Sequence, residues 1–106
     1  MDLTTYQQEA MKTRIFVPEN RVAYSALGLA GEAGELANKV RKISQGNEND
    51  PNLIAGIKGE MGDVLWYLAA LADDLGVSLA DIAAENIEKL KSRVARGAIN
   101  GAGDTR

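Results

Sequence analysis

Four carboxylates stand at spacings that suit metal chemistry: Glu32 with Glu35, and Glu60 with Asp63, the second pair 28 positions after the first. Residues three apart on a helix lie one turn apart on one face, so each pair presents two carboxylates side by side. A single pair of this kind is common on a solvated helix and carries no message. Two pairs brought together repel, and each carboxylate is costly to desolvate; one or two divalent cations would relieve both effects. The chain has no Cys and no His. That removes zinc's preferred ligands, thiol nucleophiles and imidazole acid–base catalysis. What remains is a hard cation held by oxygen, Mg²⁺ with Mn²⁺ as a substitute, or Ca²⁺. Hydrolysis at such a site would use a metal-activated water, with a carboxylate of the Glu32/Glu35 pair accepting its proton.

The surroundings of the two pairs match as well. Gly28-Leu-Ala-Gly-Glu-Ala-Gly-Glu-Leu36 and Gly56-Ile-Lys-Gly-Glu-Met-Gly-Asp-Val64 share all three glycines and the first acid. The second acid and two aliphatic positions differ conservatively. A glycine inside a helix costs about 1 kcal/mol relative to alanine, so six of them need a reason: close approach of backbones, or room for a ligand. Val22, Leu29, Leu36, Val40 and Ile43 form an apolar stripe flanked by the first acid pair. Ile57, Val64, Leu68, Leu71 and Leu75 do the same beside the second. Packed as an antiparallel hairpin, the two stripes would bring the four carboxylates together.

The elements that must position these acids are legible from their punctuation, which gives four helices and no strand. The first is expected to start at Thr4 or Thr5, with Gln7 or Gln8 completing a capping box, and to end before Pro18. The second covers residues 20–44, with Gly46 as its stop. In the polar loop 45–52, Asp50 and Pro51 read as the N-cap and first position of a third helix that runs to Leu75 and stops at Gly76. Ser78, with Asp81 three residues on, opens a fourth that runs to Arg96 and stops at Gly97. Residues 1–97 thus read as one all-α domain, and residues 98–106, small and polar, as a disordered tail.

Other side chains fall into place around this frame. On the fourth helix Leu79, Ile82, Leu90 and Val94 form an apolar stripe that includes Asn86, and a buried Asn needs partners in the fold or in a ligand. Lys89 and Arg93, at the stripe's edge, could turn towards an anion. Lys39, one turn after Glu35, could pair with that acid or contact phosphate. Trp66 points away from the third helix's stripe, among Ala55, Gly59, Gly62, Ala69 and Ala70. A single chain would leave its ring exposed, for a subunit interface or for stacking on a base. Tyr24 and Tyr67 are candidates for core or base contact.

The bulk properties set outer bounds. A net charge of −3 argues against a nucleic-acid surface. The longest apolar run, residues 64–72, is too short to span a bilayer, and the N-terminus lacks the pattern of a signal peptide. A cytoplasmic protein is expected. A chain of 106 residues buries a modest core, so pairing with another copy would help it.

The arrangement Glu32-x-x-Glu35 followed by Glu60-x-x-Asp63 resembles the signature of the all-α nucleoside triphosphate pyrophosphohydrolases, the MazG-like superfamily. Gly28-Leu-Ala-Gly-Glu-Ala-Gly-Glu-Leu36, Gly62-Asp-Val-Leu-Trp-Tyr-Leu68, Asn86-Ile-Glu-Lys-Leu90 and Arg93 carry the likeness, which runs over residues 6–93. Where many relatives continue with an aromatic and a Pro-Asp-Gly-Phe-like segment, this chain has Val94-Ala-Arg-Gly-Ala. The resemblance implies a four-helix, MazG-like bundle completed by homo-oligomerisation, as a dimer or tetramer. It implies Mg²⁺ on Glu32, Glu35, Glu60 and Asp63, with Asn86, Lys89 and Arg93 on substrate phosphates or sugar. The implied reaction cleaves a (deoxy)nucleoside triphosphate between the α and β phosphates to monophosphate and pyrophosphate, in nucleotide-pool house-cleaning. Two alternatives share the architecture: a phosphoribosyl-ATP pyrophosphohydrolase, and a non-catalytic helical oligomerisation module whose acids bind structural Mg²⁺.

Overall fold

The computed structural model describes residues 1–97, with Ser44 by its backbone alone; the expectation for residues 98–106 lies outside the described residues. Among the described residues there are four α-helices and no strand: α1 (Leu3–Lys12), α2 (Arg21–Val40), α3 (Pro51–Asp74) and α4 (Leu79–Ala95). A 3₁₀ turn, Arg41–Gln45, follows α2 directly, so the expected last turn of the second helix is present but tightened.

Local hydrogen bonding explains most of the boundaries. Asp50 accepts from the Asn52 backbone N–H ahead of Pro51, and Ser78 accepts from that of Asp81, as their positions before apolar runs predict. Gly46, Gly76 and Gly97 close their segments with φ of +85°, +69° and +66°, values at which a Cβ is strained.

The first helix differs from the sequence expectation at its start. Its cap is Asp2, whose Oδ1 accepts from the Thr5 N–H at 2.8 Å, one turn earlier than Thr4 or Thr5 would cap it. Gln7 is therefore released from any capping box and works at long range. Its Nε2 donates to the Val77 carbonyl at 3.2 Å and its Oε1 accepts from the Leu79 N–H at 2.9 Å, fastening α1 to the turn between α3 and α4. The helix ends at Lys12, before Pro18 as expected. Thr13 Oγ1 donates to the Ala10 carbonyl at 2.6 Å, and Arg14 is drawn away to Asp74 on α3.

The two glycine-rich helices, α2 and α3, pack as the expected hairpin, and α1 lies across α3. Ala10, Ala69 and Leu79 form a small core, with Leu3, Tyr6, Met11, Leu65 and Trp66 against it. The core is thin: its buried apolar side chains are Ile57, Leu79 and four alanines. α4 packs on α1 and α3 and has no contact with α2. Its expected stripe is only partly covered: Leu79 is buried and Leu90 half-buried, while Ile82 and Val94 are exposed, as is Ile87 beside them. Asn86, expected inside that stripe, is exposed, for nothing among the described residues covers that face.

Candidate active site

Glu32 on α2 and Glu60 and Asp63 on α3 can each present a carboxylate oxygen within 4.8 Å of the others. The hairpin does this because the acids flank the stripes that pack together. Glu32 and Glu60 are half-buried and Asp63 is exposed. Glu35 stays outside this set, one turn further along α2 and exposed, and bears on Glu32 through its charge. Three of the four sequence-derived acids are thus assembled.

The cluster handles its own repulsion in two ways. Glu32 and Glu60 share a hydrogen bond, which raises the Glu32 carboxyl above its ordinary range; desolvation and the charges of Asp63, Glu60 and Glu35 add to it. Glu60 moves the opposite way, held down by the Lys39 ammonium and then by Glu32. Lys39 Nζ lies 2.8 Å from Glu60 Oε1, so its ion partner is across the hairpin rather than Glu35 on its own helix. The Lys39 ammonium thus offsets part of a dense set of negative charges. The donors are all oxygen and within chelating reach of one another, which fits a hard divalent cation such as Mg²⁺ or Mn²⁺.

One turn from these acids is an aromatic cleft of about 180 Å³, lined by Thr13, Arg14, Ile15, Phe16, Tyr24, Ser25, Trp66 and Tyr67. Drug-sized ligands occupy about 300 Å³ or more, so this cleft would take only a flat fragment of one. Tyr67 joins it to the acids, lying one helical turn after Asp63 and against Gly28, one turn before Glu32. A Cβ at Gly28 would overlap the Tyr67 ring, which gives this glycine its reason. Gly31, Gly34, Gly59 and Gly62 face open space, so no close approach is made at them among the described residues, and room for a ligand is the other expected reason that stays open.

Trp66 is not left bare, as a single chain was expected to leave it. The ring packs on the core beneath α1, stands edge-on to Tyr67 at 5.1 Å, and donates from Nε1 to Thr13 Oγ1 at 2.9 Å. Phe16 meets Tyr24 edge-on at 6.3 Å on another wall. Lys89 and Asn86 are both exposed on α4, and Arg93 is buried.

Sequence reasoning missed the polar knot under the cleft. Arg14 Nη1 donates to Asp74 Oδ1 at 2.6 Å and Nη2 to Oδ2 at 3.2 Å, while Ser25 Oγ donates to Oδ2 at 2.6 Å. The Arg14 and Asp74 side chains are 7% and 1% exposed. The one available signal was Asp73-Asp74 at a helix C-terminus, where negative charge opposes the helix dipole and needs a cation nearby. Tyr6 was missed too; burial, then the charge of Asp63, raises its phenol and places it beside the acids.

Comparison with known proteins agrees with this geometry. The family model described as the MazG nucleotide pyrophosphohydrolase domain matches residues 23–96. Gene 37 protein of Mycobacterium phage L5 is 44% identical over 93 residues, 80% of this chain and 76% of its own. The uncharacterized protein YvdC of Bacillus subtilis (strain 168) is 39% identical over 72 residues, 61% of this chain and 68% of its own. No solved structure matches.

Proposed function

The chain belongs to the MazG nucleotide pyrophosphohydrolase family, and from that premise we propose that it hydrolyses a (deoxy)nucleoside triphosphate to monophosphate and pyrophosphate with Mg²⁺. The observation that carries this reading is the set of three carboxylates from two helices, one turn from a flat aromatic cleft. Glu32, Glu60 and Asp63 would hold the cation, with Glu35 joining them or accepting a proton. When bound, such an ion lowers the pKa of a water ligand and neutralises charge on the leaving pyrophosphate. The chain's own residues do the rest. Phe16, Tyr24, Trp66 and Tyr67 provide ring faces for a base, and Tyr67 sets the base one helical turn from the acids. Glu35 stands exposed beside Glu32, where a water's proton can be taken. Lys39 on α2, with Asn86, Lys89 and Arg93 on α4, would contact phosphates or sugar.

A homo-oligomer completes this reading, with a second copy covering the apolar face of α4. The role proposed is house-cleaning of the nucleotide pool in the cytoplasm; no helix among the described residues is long and apolar enough to cross a membrane. The test is pyrophosphate release from canonical and modified NTPs and dNTPs, with and without Mg²⁺, by wild type and Glu60→Gln. Metal-dependent release by wild type alone is expected. Silence across the panel with release from phosphoribosyl-ATP would move the substrate assignment. Metal-induced stabilisation with no pyrophosphate from any substrate would leave a non-catalytic module.

A further inference from the structure

Lys39 holds one of the three assembled acids where it would compete with a divalent ion for the same carboxylate. Its ammonium is 2.8 Å from Glu60 Oε1, and the Glu60 side chain is only 13% exposed, so this oxygen faces the cluster rather than open water. The lysine stem reaches there along α3 at Gly56, one turn before Glu60; a Cβ at that glycine would lie 3.8 Å from both Cδ and Nζ. An ammonium has three donors and no lone pair, so it is not itself a metal ligand, and while it holds Oε1 only Oε2 of Glu60 is open to an ion. Two positive centres on the same carboxylate also repel. Lys39 itself is 35% exposed and sits in the last turn of α2, with room to swing outwards.

We infer that Lys39 is a resident counter-cation: its ammonium occupies Glu60 in the metal-free protein and is displaced when a divalent ion binds Glu32, Glu60 and Asp63. The inference rests on the metal site proposed above. It makes metal binding a competition, so the lysine weakens affinity for the ion while stabilising the empty-handed protein. Displacement releases the ammonium to the substrate's phosphates.

The experiment is calorimetric titration of Mn²⁺ into nucleotide-free wild type, Lys39→Met and Lys39→Arg, with helix content checked by circular dichroism. Methionine keeps most of the stem and removes the competitor. Lys39→Met should bind Mn²⁺ about threefold tighter or more, since an ion pair of this exposure and its repulsion of the incoming ion are both removed. Lys39→Arg, which keeps the charge, should stay near wild type. Equal or weaker Mn²⁺ binding by folded Lys39→Met, in a wild type that binds Mn²⁺ and releases pyrophosphate, overturns the inference and leaves the proposed function standing. Failure of all three folded proteins to bind Mn²⁺ removes the metal site, and the inference with it.

Discussion

Glu32 and Glu60 belong to one cluster yet shift in opposite directions, the first towards holding a proton and the second towards holding charge. That asymmetry comes from Lys39 lying on Glu60 alone, and it is the kind of division from which separate chemical roles are built. Glu35→Gln and Asp63→Asn should each lower turnover by about a hundredfold or more while leaving helix content unchanged; full activity in both would remove these acids from the reaction. At Asp74 the expected effect is on stability. Burial pushes its carboxyl up, but hydrogen bonds from Arg14 and Ser25 and the charges of Arg14 and Arg21 outweigh burial, holding it below the ordinary 3.8. A folded value below the unfolded one gives stabilisation that is complete above pH 3.8 and lost as pH falls through the folded value. Denaturant unfolding should therefore find Asp74→Asn less stable by about 3 kcal/mol at neutral pH, because Arg14 would stay buried without its partner. The gap should narrow only below about pH 4, and a gap unchanged in strong acid would contradict the assignment.

At the scale of elements, the glycines of one repeated motif meet different surroundings. Gly28 is covered by the Tyr67 ring and Gly31 faces open space. Gly28→Ala should push Tyr67 aside, costing about 1–3 kcal/mol through overpacking against a helix-propensity gain of about 1 kcal/mol, and should raise KM through the displaced ring. Gly31→Ala should gain up to about 1 kcal/mol in a single chain; thermal melts of both variants check the contrast. The same division separates what the sequence disclosed from what it did not. Asp50-Pro51, Ser78 and the glycines after each helix act through bonds within a few residues, so their meaning was readable in place. The acid pairs were readable because two periodic stripes leave few ways to pack. The last residue of α1 was not, since Arg14 leaves the helix for a partner 60 positions away. Trp66 was misjudged for the same reason: what covers it is α1, which no pattern around Trp66 announces.

The molecule as a whole is loosely assembled for its length. Its radius of gyration is 16.5 Å, whereas a compact chain of 100 residues has about 13 Å. The core is thin, and α4 leaves Ile82, Ile87 and Val94 exposed. Exposed apolar area of this kind marks an association surface. Light scattering should find a multiple of the single-chain mass, and Ile87→Asp with Val94→Asp should reduce it to one chain; a wild-type monomer at high concentration would contradict the proposed assembly. The proposed hydrolysis would break the bond between the α and β phosphates. Its most direct test is hydrolysis of the preferred triphosphate in ¹⁸O-enriched water with Mg²⁺, followed by mass analysis of both products. Attack at the α-phosphate predicts the label in the nucleoside monophosphate and unlabelled pyrophosphate. Label in pyrophosphate or in orthophosphate would place the attack elsewhere and contradict the account.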